Sequence, residues 1–146
     1  MAQGDVSVTP PRFDGAREFP QGTRTAADAA AAIGCEVGAI CKSLVFRVGD
    51  EPLLVIASGA NRVDEARFGA VKADAGFVRA HTGYAIGGVP PYGHPRALRT
   101  IVDEDLLGYE TVWAAAGTPS SVFPIAPTDL VARTGGTVAR VSPAAP

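Results

Sequence analysis

The chain has 146 residues, 47% of them apolar and 19% charged, which makes one ordinary domain with a sizeable core and excludes intrinsic disorder. Its 13 Lys and Arg against 15 Asp and Glu leave a formal charge of −2, which excludes broad coating of nucleic acid and leaves room only for a small contact with it. Two cysteines without CxxC spacing exclude a disulfide framework, and no apolar run approaches the roughly 18 residues of a membrane span. With no charged-then-apolar signal pattern at the N-terminus, the expectation is a soluble, cytoplasmic domain.

Residues 1–24, with Pro10, Pro11, Gly15, Pro20 and Gly22 and no helical period, read as an extended lead-in, and residues 25–146 as the domain proper. Thr25 and Asp28 open an alanine-rich helix that Gly34 stops after Ile33, and a second short helix is expected over Val37–Cys41. Ser43–Val48 and Leu53–Ala57 are rich in β-branched and aromatic types around the turn Gly49-Asp50-Glu51-Pro52, so they form a hairpin. The second strand is apolar throughout, which predicts burial on both faces. A helix over Val63–Ala73 and a short strand at Phe77–Arg79 are expected next. Thr82–Pro95, TGYAIGGVPPYGHP, is too rich in glycine and proline for a regular element, and a loop of this length inside a compact domain is usually functional. Strands at Leu98–Val102 and Thr111–Ala115 follow, with a helical turn at Glu104–Leu107 between them. The loop Ala116–Ser121 leads to Val122–Ile125, an edge or irregular strand because of Pro124. A helix over Pro127–Arg133 and a strand over Thr137–Val141 complete a mixed α/β (α+β) domain.

The chain has only two lysines, Lys42 and Lys72, against eleven arginines. Lys42 stands where a helix is expected to meet the first long strand, from which its compact ammonium can reach a phosphate, a carboxylate or a polarised carbonyl; otherwise it is a surface lysine passing the sheet edge. Glycines in Gly87-Gly-Val-Pro-Pro91 let main-chain N–H groups approach a ligand and prolines hold that geometry, unless the segment is a plain connector. It lacks the GK[ST] ending of a phosphate-binding P-loop and the third glycine of the dinucleotide fingerprint. Nucleophiles and metal ligands are poorly supported. Cys41 in an apolar stretch reads as packing, no spacing ties it to His81 or His94, and Ser120 and Ser121 lack the flanking glycines of a nucleophile elbow. Asp64 and Glu65 read as first-turn charges of the expected helix, and Arg62 and Arg67 as solvated.

Taken together, CKSLVF over 41–46, LVIASG over 54–59, TGYAIGGVPP over 82–91, Val102-Asp103 and AGTP over 116–119 resemble the YbaK/ProX family, free-standing relatives of the editing domain of bacterial prolyl-tRNA synthetases. The resemblance runs from about Thr25 to Val141. It implies a largely antiparallel, barrel-like sheet flanked by helices, and hydrolysis of the ester between a wrong amino acid and tRNA, most simply tRNA for proline. It makes Lys42 the catalytic lysine and matches the substrate-binding element to Gly87, Gly88 and Pro91, with Gly117 and Thr118 beside it. It implies no metal or other cofactor, and as partners the acceptor end of misacylated tRNA and the prolyl-tRNA synthetase, with no DNA and no membrane. Members often carry a lysine-rich helix where this chain has Asp64, Glu65, Ala66 and Arg67. The alternative from another class is a non-catalytic module that binds tRNA ends or a small ligand.

Overall fold

A computed structural model of the chain describes residues 13–19 and 25–143. Most of the expected lead-in lies outside the described residues. Within it, Phe13 is buried in the core, and β1 (Arg17–Glu18) pairs with a later strand. Helix α1 (Ala26–Ile33) starts and stops as its sequence dictates. The Thr25 hydroxyl accepts from the Asp28 N–H at 3.0 Å, and Gly34 takes the left-handed conformation, φ 87°, that closes the last turn.

The hairpin is β2 (Cys41–Val48) and β3 (Glu51–Ser58), in register from Val48 opposite Glu51 to Cys41 opposite Ser58. Its turn is tighter than the sequence suggests. Gly49, with φ 63°, and Asp50 make the turn, and Glu51 and Pro52 join the ladder. Pro52 is tolerated because the next strand joins β3 only from Leu53 onward. Leu53 to Ala57 are all buried, as the unbroken apolar run requires. Leu54 and Ile56 face a larger core with Val112, Phe123 and Leu130, whereas Leu53, Val55 and Ala57 face a smaller one with Phe46, Ile101 and Val141.

Three expectations are corrected. The helix expected over Val37–Cys41 is a 3-10 turn, Val37–Ala39, and Cys41 already belongs to β2. Ile40 bridges Trp113 in parallel, and this pairing draws the chain into extended form. In place of the helix over Val63–Ala73 there is a 3-10 turn, Glu65–Phe68, closed by Gly69 at φ 63°, and then β4 (Val71–Lys72) on the edge of β2. Strand pairing to Phe46 and Arg47 outweighs the helical period there. Phe77–Arg79 is not a strand but the middle of α2 (Ala75–Thr82), which Asp74 caps by accepting from the Phe77 N–H at 2.8 Å.

β5 (Arg99–Asp103), β6 (Val112–Ala115), β7 (Ser121–Ile125), α3 (Pro127–Thr134) and β8 (Thr137–Ala139) follow near their expected places, with a 3-10 turn over Glu104–Gly108. The sheet is mixed and largely antiparallel, but it does not close into a barrel. It divides into a five-stranded sheet, β4-β2-β3-β5-β8, and a three-stranded sheet, β1-β7-β6, bridged at Ile40 and Trp113. β5 runs parallel to β3 and to β8. β7 is the middle strand of its sheet, yet Pro124 lies beyond the reach of β1, which pairs only with Ser121 and Val122. At the proline itself the strand is an edge, which its missing N–H demands.

Candidate functional site

Between the Ile40 bridge and the pairing of Phe46 with Lys72, the outer edge of β2 has no strand partner among the described residues. A cleft of about 1070 Å³ lies along this free edge, lined by residues of both sheets. Alternation along β2 gives the cleft two characters. Val78, Val89, Ala115 and Val122 make one part apolar, whereas Lys42, Arg62 and Lys72 supply three cations against the single carboxylate of Glu65.

Lys42, half-buried on β2, donates from Nζ to the main-chain carbonyl of Asn61 at 2.6 Å. Asn61 ends the turn that follows β3, closed by its N–H to the Ser58 carbonyl at 2.9 Å. Its amide donates to Oδ2 of Asp103 at 2.9 Å and to Oδ2 of Asp105 at 2.7 Å. Asp103 is fully buried at the end of β5 and also accepts from the Ser58 N–H at 2.9 Å and the Asp105 N–H at 3.0 Å. With three donors, the buried carboxylate has its hydrogen-bonding demand met. Burial lowers the Lys42 ammonium below the ordinary lysine range, and the Asp103 charge opposes that shift. Sequence reasoning read Arg62 as solvated and did not single out Asn61. The available signal for the network was an acid, Asp103, directly following the apolar pair Ile101-Val102 and buried where Glu104 and Asp105 after it are exposed.

The two glycine-proline loops come together. Gly87 lines the cleft with φ 88°, and Pro119 of the second loop lines it too. A Cβ on Gly88 would lie 2.9 Å from the Thr118 main chain, so this contact between the loops is open only to glycine. The Gly88 N–H is committed to the Ala85 carbonyl at 3.0 Å. Pro91 is buried outside the cleft lining, and the Pro90 carbonyl bonds His94 Nε2 at 2.7 Å, which pins the loop from behind. Gly117, φ 109°, packs under Tyr84, and the Thr118 hydroxyl bonds that of Ser121 at 2.8 Å. Lys42 and Gly87 therefore share the cleft, while Gly88, Pro91, Gly117 and Thr118 shape the loops around it.

Cys41 is buried in the larger core, and burial pushes its thiol far above the usual range, which removes the thiolate a nucleophile needs. His81 stacks on Phe77 and His94 holds Pro90, and neither lines the cleft. Among the described residues no helix is long and apolar enough to cross a membrane.

The arrangement is a small two-sheet α/β domain with a lysine in a cleft flanked by two glycine-proline loops. The chain belongs to the aminoacyl-tRNA editing domain family, which matches residues 20–132. It is 32% identical over 120 residues to the uncharacterized protein YwhH of Bacillus subtilis (strain 168), covering 77% of this chain and 76% of that one. A solved structure of a proposed trans-editing enzyme for prolyl tRNA synthetase is 47% identical, with a TM-score of 0.82 over 88% of this chain and 86% of that chain. Another, from work on epitope backbone grafting onto scaffold proteins, is 45% identical, with a TM-score of 0.83 over the same shares.

Proposed function

We propose that this protein is an aminoacyl-tRNA deacylase that acts in trans, hydrolysing the ester that joins a wrong amino acid to the 3′ end of tRNA. The observation that carries this reading is the shared cleft of Lys42 and Gly87, whose lining combines apolar side chains with three cations. An amino-acid side chain suits the apolar part, and the terminal phosphates suit the cations. Lys42 orients a phosphate or the ester carbonyl. The Gly87 N–H serves as the donor of its loop, since that of Gly88 is already used, and stabilises the oxyanion as it forms. With the Cys41 thiol buried and protonated, water or the neighbouring ribose hydroxyl makes the attack. Membership of the editing family and the likeness to a proposed trans-editing enzyme for prolyl tRNA synthetase support tRNA for proline as the substrate, with that synthetase as a functional partner.

The test is turnover. Protein at a small fraction of the tRNA concentration should clear a mischarged tRNA for proline to completion, across a panel carrying alanine, cysteine, serine or threonine. Stoichiometric binding without turnover on every member would replace the enzyme with a module that binds tRNA ends.

A further inference from the structure

The Lys42 ammonium is held by structure that its own strand does not supply. The ammonium is held by a main-chain carbonyl of Asn61, and the Asn61 side chain is fastened to the ends of β5 and its following turn. An asparagine amide has two hydrogens, and both are committed here, one to Asp103 and one to Asp105. The same Asp103 oxygen that holds Asn61 also holds the Ser58 N–H, so both ends of the turn 58–61 rest on one buried carboxylate. Ser58 is itself tied down, its hydroxyl donating to the Gly38 carbonyl at 2.7 Å. A long, flexible lysine is otherwise free to sample many rotamers at the mouth of a cleft, and ordering it costs entropy at each binding event.

We propose that Asp103 and Asn61 are positioning residues for Lys42: the buried carboxylate clamps the turn 58–61 so that the Asn61 carbonyl holds the ammonium in place before substrate arrives. This rests on the deacylase reading for its effect on turnover but not for its effect on the lysine. The charged groups around Lys42 are Asp103, whose charge acts on it, Arg62, Glu65 and Lys72, which line the same cleft, and Asp105, which holds Asn61. Asp103 is the buried acid among them, and its charge is the one that opposes desolvation of the ammonium. A neutral side chain at 103 therefore lowers the Lys42 pKa further, and activity that needs the ammonium is lost at a lower pH than in the parent. Asn61→Ala keeps both carboxylates and a main-chain carbonyl at 61 but frees the turn that positions that carbonyl.

The composition makes the test direct, because a chain with two lysines shows two lysine side-chain signals. The full-length protein is labelled with 13C and 15N in lysine, and Lys72→Arg assigns the pair. In Asp103→Asn the Lys42 signal should titrate at lower pH than in the parent. In Asn61→Ala it should sharpen as the side chain gains motion, with kcat on mischarged tRNA falling about tenfold, the equivalent of one charge-assisted hydrogen bond, and KM little changed. A purely structural role would lower melting temperature without moving the Lys42 titration. The proposal is overturned if Asp103→Asn folds and Lys42 titrates as in the parent. Should Asp103→Asn fail to fold, an Asn61→Ala variant with unchanged Lys42 mobility overturns it instead. Because these readouts contain no tRNA, they stand even where no mischarged tRNA is hydrolysed, a result that would count against the deacylase reading alone.

Discussion

Lys42 reaches the cleft from a strand rather than from a helix end, and it does so with its ammonium already hydrogen-bonded to Asn61. Lys42→Ala should leave the fold intact, since the side chain is half-exposed and the β2–β3 ladder is main-chain. Loss of a charge-assisted contact worth about 1.5–3 kcal/mol predicts a fall in deacylation of roughly tenfold to a hundredfold or more. Single-turnover hydrolysis beside a thermal melt measures both, and near-parental rates in a folded variant would remove Lys42 from the mechanism. The pH dependence has a definite sign. Burial lowers the Lys42 pKa, so the ammonium, and with it the enzymatic rate above background hydrolysis, is lost as pH rises through a value below the ordinary lysine one. Activity retained by Lys42→Arg should persist to higher pH, because a guanidinium does not titrate there. Cys41 behaves oppositely. It packs with Val45, Leu54 and Ile56 in the larger core. Cys41→Ala should lower melting temperature slightly and keep activity per folded molecule, and iodoacetamide should alkylate Cys41 only as the chain unfolds. Rapid alkylation of the native protein, with loss of activity, would restore the thiol as nucleophile.

The loops test the arrangement at the next scale. Gly87 and Gly88 are adjacent but differ in what they forbid. A methyl on Gly87 meets only Pro119 at 3.7 Å, an ordinary contact, so the cost is the backbone strain of φ 88°, about 1 kcal/mol. On Gly88 it would collide with the main chain of Thr118 and Pro119 at 2.9 and 3.1 Å, and the loops must part. Gly87→Ala should therefore cut deacylation strongly with a small change in melting temperature, through the close approach to the ester. Gly88→Ala should cost both activity and stability. Should Gly87→Ala hydrolyse as well as the parent, the loop is a connector and Lys42 acts with other donors. The loop was legible as irregular because seven of its fourteen residues are glycine or proline. Its packing against the second loop was not, because the contact joins residues about thirty apart and leaves no mark in either segment alone. Helix α2 failed for a different reason. Asp74 three residues before Phe77 is a fair capping signal, but Gly76 and the short apolar core of Phe77 and Val78 resemble a strand.

Over the whole molecule, a net charge of −2 coexists with a locally cationic cleft. With three cations, Lys42, Arg62 and Lys72, to meet phosphates, the logarithm of affinity for an acylated RNA end should fall with log salt at a slope of about −2, from roughly 0.7 per single-strand phosphate. A titration of binding from low to physiological salt checks this, and a slope several times steeper would demand phosphate contacts well beyond these three cations. The shallow slope also suits an enzyme that touches only the acceptor end and must release its product.

Local signals set what the sequence by itself determined: the capped helix after Thr25, the hairpin with its doubly buried second strand, the glycine-proline loops and the oddity of one lysine at a strand mouth. Each depends on dihedral preference, side-chain period or residue chemistry, all written within a few residues. Tertiary structure alone decided that residues 71–72 extend along β2, that the sheet splits in two at Ile40 and Trp113, and that Asp103 reaches across from β5 to hold Asn61. Those outcomes rest on pairing and hydrogen bonding between segments as much as 40 or more residues apart, as with Asn61 and Asp103, separated by 42. No periodicity encodes them, because the energy of such a contact belongs to both partners and exists only once the chain has brought them together.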